Sequence, residues 1–428
     1  MRKLCIKAPA MLLALALTAA LASCGSVPAA TPPDASPGAG TETSATAPAP
    51  TDMPTDGPVP TDEPVPEPTP VPPPEVLMPF AEDMTAFDIA GDMGAGWNLG
   101  NTLDAGGSDR MPISPLSQET AWGNPVTSYE MIALLADTGF NTLRVPVTWQ
   151  RHIGPAPDYT IGEAFLNRVQ EVVDYGIDNG LYVIVNLHHE TWHFPSSDNE
   201  EAPLMLAAVW RQIAGRFAGY SEKLIFEAMN EPRLTGTSFE WTGGTPEARS
   251  VINSWNYIFI RTVRATGFNN EKRFLMIPTH AASSDPNALS DFFVPRDKNV
   301  LVSIHAYTPY NLTLNTAIAT NTFDPSEPRD TADIDALFQR LDDRFLSQGT
   351  AVVIGEMGCL NKQDNAAARA AWADYYTAQA AALGIPCIWW DNGIRASTGR
   401  SESFGIMNRL EAAWWYPEIA EAMLKNYR

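Results

Sequence analysis

The sequence contains few cysteines for its 428 residues, and their positions limit what they can do. Two of the four, Cys5 and Cys24, lie close to the N-terminus, which leaves Cys359 and Cys387 for the remainder of the chain. Small secreted folds that depend on disulfides contain more cysteines, so this class of scaffold is excluded. Cys359 and Cys387 lie beside neighbouring predicted strands and could form one bridge, but we expect two buried thiols.

Positive charge is also scarce, since 28 Lys and Arg residues stand against 50 Asp and Glu residues, giving a formal net charge of −22. Nucleic acids and anionic lipid headgroups both require a basic surface, so they are excluded as partners of the folded part. No glycine-rich phosphate loop opens a predicted helix, which argues against a nucleotide-binding sheet. We therefore expect no cofactor. We also expect the protein to be a monomer.

The N-terminus has the layout of a secretory signal. Three basic residues among the first seven precede the apolar run "MLLALALTAALA" (11–22), which is too short to span a membrane comfortably. The run ends in "LASC" (21–24), which resembles the lipobox of bacterial lipoproteins. We predict a signal peptide over 1–23 and a lipid on Cys24, which would place an exported protein at the cell surface or envelope. The alternative is a plain signal cleaved just before an incidental cysteine.

Residues 24–78 are predicted to be a disordered linker. They consist largely of Pro, Thr, Ala, Asp and Glu, as in "TDMPTDGPVPTDEPVPEPTPVPPP" (51–74), and contain no Lys or Arg. Such a segment cannot bury enough apolar surface to offset the entropy lost on folding, and its prolines favour an extended chain of about 3 Å per residue. We interpret this segment as a stalk. The predicted lipid on Cys24 would be the protein's only contact with a membrane.

Residues 79–428 alternate between apolar runs and segments with helical periodicity. Strands that are apolar on both faces and separated by helices belong to parallel sheets. Eight such units predict an α/β fold of the (β/α)8 TIM barrel type, with a doubly wound open sheet as the weaker option. The eight predicted strands are residues 96–101, 141–149, 181–190, 224–231, 273–281, 300–309, 351–358 and 385–393.

Polar residues concentrate at the carboxyl end of each predicted strand, where the active sites of TIM barrels lie. Two of them are glutamates: Glu231 follows the fourth strand and Glu356 the seventh. Two carboxyl groups facing a cleft are what glycosidic bond cleavage requires, one as the acid and the other as nucleophile or base. The alternative is that each glutamate merely pairs with Arg144 or caps a loop.

A competing hypothesis is a metal site in "HHETWH" (188–193). His189, Glu190 and His193 have the composition of metal ligands, and metal-dependent hydrolases also gather such residues at strand ends. Their spacing matches no zinc signature, so we expect no metal.

The domain resembles glycoside hydrolase family 5, the cellulase family, and within it subfamily 4, which contains endoglucanases and xyloglucanases. The resemblance spans the domain through "GWNLGNTLDA", "NTLRVPVTW", "VIVNLHHE", "EAMNEPR", "SIHAYTPYNLT", "VVIGEMG" and "CIWWDNG". It implies that Glu231 is the general acid/base and Glu356 the nucleophile of a retaining enzyme, with carboxyl groups about 5 Å apart.

The resemblance also assigns supporting roles. Asn230 would hold the 2-hydroxyl of the sugar, while Arg144 and Tyr307 would keep Glu356 ionised and oriented. Trp390 would form the floor beside the nucleophile. The remaining matches, with substrate-binding or structural roles, are His188, His189 and His305, and the tryptophans in loops that could add sugar subsites are Trp122, Trp192 and Trp241.

The function expected is a retaining endo-β-1,4-glucanase that cleaves plant β-glucans such as cellulose, mixed-linkage glucan and xyloglucan. Within the enzyme class, a xyloglucanase, a mannanase or a xylanase are alternatives. An alternative from another class is a surface lipoprotein that binds glycans without turnover. A decayed enzyme would be expected to lack a catalytic carboxylate or its supporting residues, and the sequence lacks none of them.

Overall fold

The computed structural model describes residues 73–81, 83–106, 114, 117–396 and 402–428. Eight parallel strands close into one barrel in sequence order, with β8 pairing back onto β1. The predicted (β/α)8 barrel is therefore confirmed, and the open-sheet alternative is wrong. The barrel strands are β1 (Ala95–Leu99), β2 (Thr142–Val145), β3 (Tyr182–Asn186), β4 (Leu224–Glu227), β5 (Leu275–Pro278), β6 (Val300–His305), β7 (Ala351–Met357) and β8 (Cys387–Asp391).

Apart from the first helix, which precedes the barrel, the helices follow strands and lie outside the barrel. Side-chain caps mark several of their starts: Ser128 accepts the backbone N–H of Met131, and Thr245 that of Ala248. The helices are α1 (Ala86–Met93), α2 (Tyr129–Thr138), α3 (Glu163–Asp178), α4 (Glu201–Arg216), α5 (Pro246–Ala265), α6 (Pro286–Ser290), α7 (Tyr310–Thr313), α8 (Pro328–Arg344), α9 (Ala366–Ala382) and α10 (Pro417–Leu424). A short antiparallel pair, β9 (Met407–Asn408) and β10 (Ala413–Trp414), follows β8.

The strands are buried on both faces and contribute to two apolar clusters. The larger cluster fills the space between strands and helices, and the smaller one fills the lower barrel interior. In the smaller cluster, Ile89 and Met93 of α1 pack against inward side chains such as Ile184 and Val353. The amino-terminal end of the barrel is thus closed by α1, which leaves the carboxyl end as the accessible mouth.

The first described residues, 73–81, pack on the closed end. The backbone N–H of Met78 donates to the carbonyl of Gly219 over 2.7 Å, and the ring of Phe80 stacks on Phe274 with centroids 6.3 Å apart. Both partners precede the start of a strand, which places this segment opposite the barrel mouth. We call residues 73–81 the strap; its packing begins a few residues before the predicted domain boundary at residue 79.

The remaining structural predictions have mixed outcomes. Cys359 and Cys387 are buried free thiols, as expected. The predicted fourth strand is too long, because β4 ends at Glu227, four residues before Glu231. No helix within the described part of the chain is long and apolar enough to cross a membrane. The predicted signal peptide, the lipidated Cys24 and nearly all of the predicted linker lie outside the described residues.

Candidate active site

The candidate active site lies at the carboxyl ends of the barrel strands. Asn98, Arg144, Glu356 and Trp390 lie within β1, β2, β7 and β8, near the carboxyl ends of these strands, and His305 is the last residue of β6. Because all eight strands are parallel, these ends form one face. Residues from widely separated parts of the sequence therefore meet there.

Glu356 is held by hydrogen bonds to both carboxylate oxygens. Arg144 donates from Nη1 to Oε1 over 2.8 Å, and the Tyr307 hydroxyl donates to Oε2 over 2.9 Å. The side chain of Glu356 is nearly buried, since only 7% of it is exposed. These contacts fix the carboxylate plane, and both donors stabilise its ionised form.

Glu231 lies in the loop that follows β4 and faces the same cleft. Its Oε1 is 2.8 Å from Nδ1 of His305, and its Oε2 accepts a longer contact of 3.4 Å from Nη1 of Arg233. A carboxylate oxygen of Glu231, one of Glu356 and a ring nitrogen of His305 all lie within 4.8 Å of one another. At least one oxygen of Glu231 and one of Glu356 are therefore no more than 4.8 Å apart.

His305 and the two carboxyl groups influence one another's protonation. Burial lowers the pKa of His305, but the charge of Glu356, the nearby carboxylate of Glu227 and the hydrogen bond with Glu231 outweigh it and raise that pKa to about 9. Burial raises the pKa of Glu356, and the charge of Glu231 adds to the rise. Burial also favours neutral Glu231, but the hydrogen bond and charge of His305 prevail and lower its pKa. At neutral pH His305 is therefore a cation beside two coupled carboxyl groups.

Arg144 is fully buried and binds more of the site than its predicted partner Glu356 alone. Nη2 donates to Oδ1 of Asn230 over 2.7 Å, and Nη1 also donates to Oδ1 of Asn98 over 2.9 Å. Nε donates to Glu227 over 2.8 Å. The guanidinium group thus orients Glu356 and Asn230 together.

The sequence analysis missed Glu227, which is fully buried at the end of β4. The available signal was a glutamate inside the apolar run "LIFEAM", since a carboxylate is rarely buried without a cationic or hydrogen-bonding partner. It also missed Asn186, whose side-chain amide donates to Glu227 over 3.1 Å and to Nδ1 of His188 over 3.2 Å.

His188 is a neutral side chain. Burial, followed by the charge of neighbouring His189, holds its pKa well below the usual value. Because Asn186 donates to Nδ1, the single ring proton of His188 is assigned to Nε2, which makes that nitrogen a hydrogen-bond donor.

Four rings form a continuous row along one side of the mouth. Trp122 and His189 lie 5.7 Å apart between ring centroids, His189 and His188 lie 4.3 Å apart, and His188 is parallel to Trp390 at 5.6 Å. A side chain at Gly100 would approach the Trp390 ring to within 2.8 Å, so only glycine allows this tryptophan to lie there. Only His188 and Trp390 are stacked, whereas the other two pairs are tilted by 52° and 76°. Aromatic ring faces suit the apolar faces of sugar residues.

The other two predicted subsite tryptophans lie in different surroundings. Trp241 is 61% exposed, and its ring lies 4.5 Å from the guanidinium carbon of Arg233, the residue that also contacts Glu231. Trp192 is half-buried and donates from its indole nitrogen to Glu190 over 2.8 Å, with no contact to the carboxylate pair among the described interactions. Trp241 is therefore linked to the candidate acid, whereas Trp192 is linked to a neighbouring loop.

The residues that the competing metal hypothesis grouped in "HHETWH", His189, Glu190 and His193, do not come together as one set of ligands. The carboxylate of Glu190 accepts hydrogen bonds from the backbone N–H groups of Trp149 and Gln150 and from the indole of Trp192. Both of its oxygens are therefore already used within the loops. Over the described ranges, two groups have ligand atoms close enough to hold an ion, and neither contains Glu190 or His193. These groups are Asp104, His188 and His189, and Glu231, His305 and Glu356.

Comparison with known proteins gives one family. The family model for cellulases, glycosyl hydrolase family 5, matches residues 105–396. The cellulase/esterase CelE of Acetivibrio thermocellus is 44% identical over 82% of this chain, although the aligned part spans only 42% of that longer protein.

Solved structures agree with this result. A broad-specificity endoglucanase of subfamily 4 from Ruminococcus champanellensis, with bound cellotriose, is 46% identical over 80% of this chain and 99% of its own, with a TM-score of 0.77. A xyloglucan-specific endo-β-1,4-glucanase from a metagenomic library, in complex with cellotriose, is 41% identical over 79% of this chain and 98% of its own, with a TM-score of 0.74.

Proposed function

This chain belongs to glycoside hydrolase family 5, and on that premise we propose that it is a retaining endo-β-1,4-glucanase that cleaves plant β-glucans by double displacement. The observation that carries the proposal is the pair Glu231 and Glu356, whose nearest oxygens lie within 4.8 Å across the mouth of the barrel. This spacing suits direct attack on the sugar, because an inverting pair needs room for an intervening water.

In the first step, Glu356 attacks the anomeric carbon and Glu231 protonates the leaving oxygen, which breaks the glycosidic bond and leaves a glycosyl group on Glu356. In the second step, Glu231 is ionised and takes a proton from a water molecule as this water attacks the anomeric carbon. The bond to Glu356 breaks, and the released sugar has its original anomeric configuration. The contacts of Glu356 with Arg144 and Tyr307 support its role as nucleophile, because they hold it at a fixed angle.

The proton required on Glu231 can come from within the pair. Nδ1 of His305 lies 2.8 Å from Glu231 and 3.7 Å from Oε1 of Glu356, so it contacts or approaches both groups. Transfer of that proton from Glu356 to Glu231 leaves the nucleophile ionised and the acid protonated, which is the state that the first step requires. Asn230, oriented by Arg144, is placed to bind the 2-hydroxyl, where a hydrogen bond strengthens as the transition state forms.

The row of rings Trp122, His189, His188 and Trp390 supports action on a polymer. Trp241 is connected to Glu231 through Arg233, which makes it a further aromatic candidate for a sugar subsite. Several aromatic positions near the carboxylate pair favour action within a long chain. The two solved structures named above are of endoglucanases, and one of these is xyloglucan-specific, so xyloglucan is a substrate to test beside unbranched β-glucans.

The test compares the protein with its Glu356→Gln variant on carboxymethyl cellulose, barley β-glucan, xyloglucan, glucomannan and xylan. We expect oligosaccharide products from glucan or xyloglucan, and a loss of about a thousandfold or more in the variant with retained polymer binding. Glu171→Gln, which changes an exposed glutamate of α3, serves as the matched control and should retain wild-type activity.

A glycan-binding protein without turnover is the alternative. It would bind one of these polymers in affinity electrophoresis and release no product from any of them. Substantial activity of Glu356→Gln would instead contradict the assignment of the nucleophile, while leaving the hydrolase itself in place.

A further inference from the structure

We propose that Glu227 is a positioning residue of the catalytic site, which acts through Arg144 and His305 to set the orientation and the charge environment of the nucleophile Glu356. This inference rests on the proposed function, because it assigns a role in the same reaction. It concerns a residue at the end of β4 that lies below the carboxylate pair.

Glu227 is fully buried and uses both of its oxygens. Oε2 accepts Nε of Arg144 over 2.8 Å and the side-chain amide of Asn186 over 3.1 Å. Oε1 accepts the hydroxyl of Ser303 over 2.6 Å and lies 3.8 Å from Nε2 of His305. Glu227 therefore contacts the two cations that in turn contact the catalytic pair.

The contact with Arg144 fixes how its guanidinium plane is rotated. A guanidinium group is planar, so an acceptor on Nε determines where the two terminal nitrogens point. With Nε on Glu227, Nη1 donates to Glu356 over 2.8 Å and Nη2 to Asn230 over 2.7 Å. Without this anchor, the group could rotate and lose the alignment of both side chains.

The charge of Glu227 also balances the site. The buried network contains three carboxyl groups, Glu227, Glu231 and Glu356, and two cationic groups, Arg144 and His305. Glu227 takes up part of the positive charge that would otherwise act on Glu356 alone. A nucleophile facing an unshared arginine would be a weaker nucleophile, because its negative charge would be held more tightly.

A purely structural ion pair would also explain these contacts, and it makes a different prediction. Breaking a structural pair lowers the free energy of unfolding without changing the pH at which the enzyme works. A positioning role changes the pH profile, since removing a negative charge makes both catalytic carboxyl groups release their protons more easily. Both limbs of the profile of kcat/KM should then move to lower pH.

The experiment measures kcat and KM against pH for the wild type and Glu227→Gln on the best polymer and on a chromogenic cello-oligosaccharide. We expect kcat to fall about ten- to a hundredfold, KM to change less than about threefold, and both limbs to shift by about one unit toward acid. The matched control is Glu119→Gln, which removes another buried carboxylate paired with an arginine, Arg168, outside this network. It should lower the melting temperature and leave both limbs in place.

Glu227→Asp keeps the negative charge but has a shorter side chain, so its carboxylate lies farther from Arg144. This variant tests the inference if Glu227→Gln fails to fold. We expect a lower kcat with unshifted limbs for this variant. Wild-type kcat in Glu227→Asp, or unshifted limbs in a folded Glu227→Gln, would overturn the inference. An inactive wild type on every substrate would instead overturn the proposed function, so the two failures are distinguishable.

Discussion

His305 shows how one side chain can connect several charges at the site. It lies between the two catalytic carboxylates and above Glu227, and its side chain is only 2% exposed. A buried cation without partners would be strongly unfavourable, but here three carboxylates surround it. Removing one member of this network would leave a buried charge without its partner, which lowers the free energy of unfolding.

This arrangement predicts how His305 affects stability with pH. Its pKa is raised to about 9 in the folded protein, whereas an unfolded histidine titrates near 6.5. The folded state therefore binds the proton more tightly, and the contribution is fully present below about pH 6.5 and lost as pH rises through about 9. It amounts to something of the order of 3 kcal/mol.

Thermal unfolding of the wild type and of His305→Gln between pH 6 and pH 10 measures this contribution. The difference in stability between the two proteins should shrink as the pH rises across this interval. A difference that stays constant would show that His305 does not carry the charge in the folded state.

At the scale of elements, the strap of residues 73–81 depends on one glycine. A side chain at Gly219 would place its Cβ 1.9 Å from the carbonyl oxygen of Val76, a distance at which backbone must move. The carbonyl oxygen of the same glycine accepts a hydrogen bond from the backbone N–H of Met78. The strap can pack against the loop before β4 only because no side chain intervenes.

Gly219→Ala should therefore detach part of the strap and destabilise the protein by about 2 kcal/mol, with a lower melting temperature in calorimetry. Activity at a permissive temperature should remain, since the strap lies opposite the barrel mouth. Gly91→Ala is the control, because Gly91 lies in α1 with nothing within 4 Å of the added carbon. It should be neutral or slightly stabilising, and equal melting temperatures for the two variants would contradict the role of Gly219.

At the scale of the whole molecule, the catalytic mouth and the strap lie at opposite ends of the barrel. The predicted linker would continue from the strap, and the predicted lipid anchor on Cys24 lies farther toward the N-terminus. We propose that the protein is exported and anchored through this cysteine.

Cys24→Ala in the full chain tests the anchor. Cells that make the wild-type protein and are supplied with labelled palmitate should incorporate the label into it and keep it with the membrane fraction. The variant should lose the label and leave that fraction. Absence of label in the wild type would favour the plain signal peptide.

Much of the fold and of the site followed from local sequence. Apolar runs and helical periodicity predicted eight strand and helix units. A parallel strand is buried on both faces and is therefore an almost continuous run of apolar residues in the sequence. The polar residues that end these runs, such as Glu231 and Glu356, predicted which end of the barrel faces the substrate. The motifs around them predicted the family.

The sequence by itself determined the repeated strand and helix pattern, the barrel and the chemistry at its mouth, because these depend on short-range patterns and on residue types. Only the tertiary structure decided that β4 stops at Glu227, that this glutamate shares Arg144 with Glu356, and that the strap packs against Gly219. Strand ends depend on pairing with neighbours, and ion pairs depend on proximity between residues far apart in the chain; Arg144 and Glu227 are 83 positions apart. A glutamate inside the apolar run "LIFEAM" signals that a partner is needed, but which residue is that partner is decided only when the barrel closes.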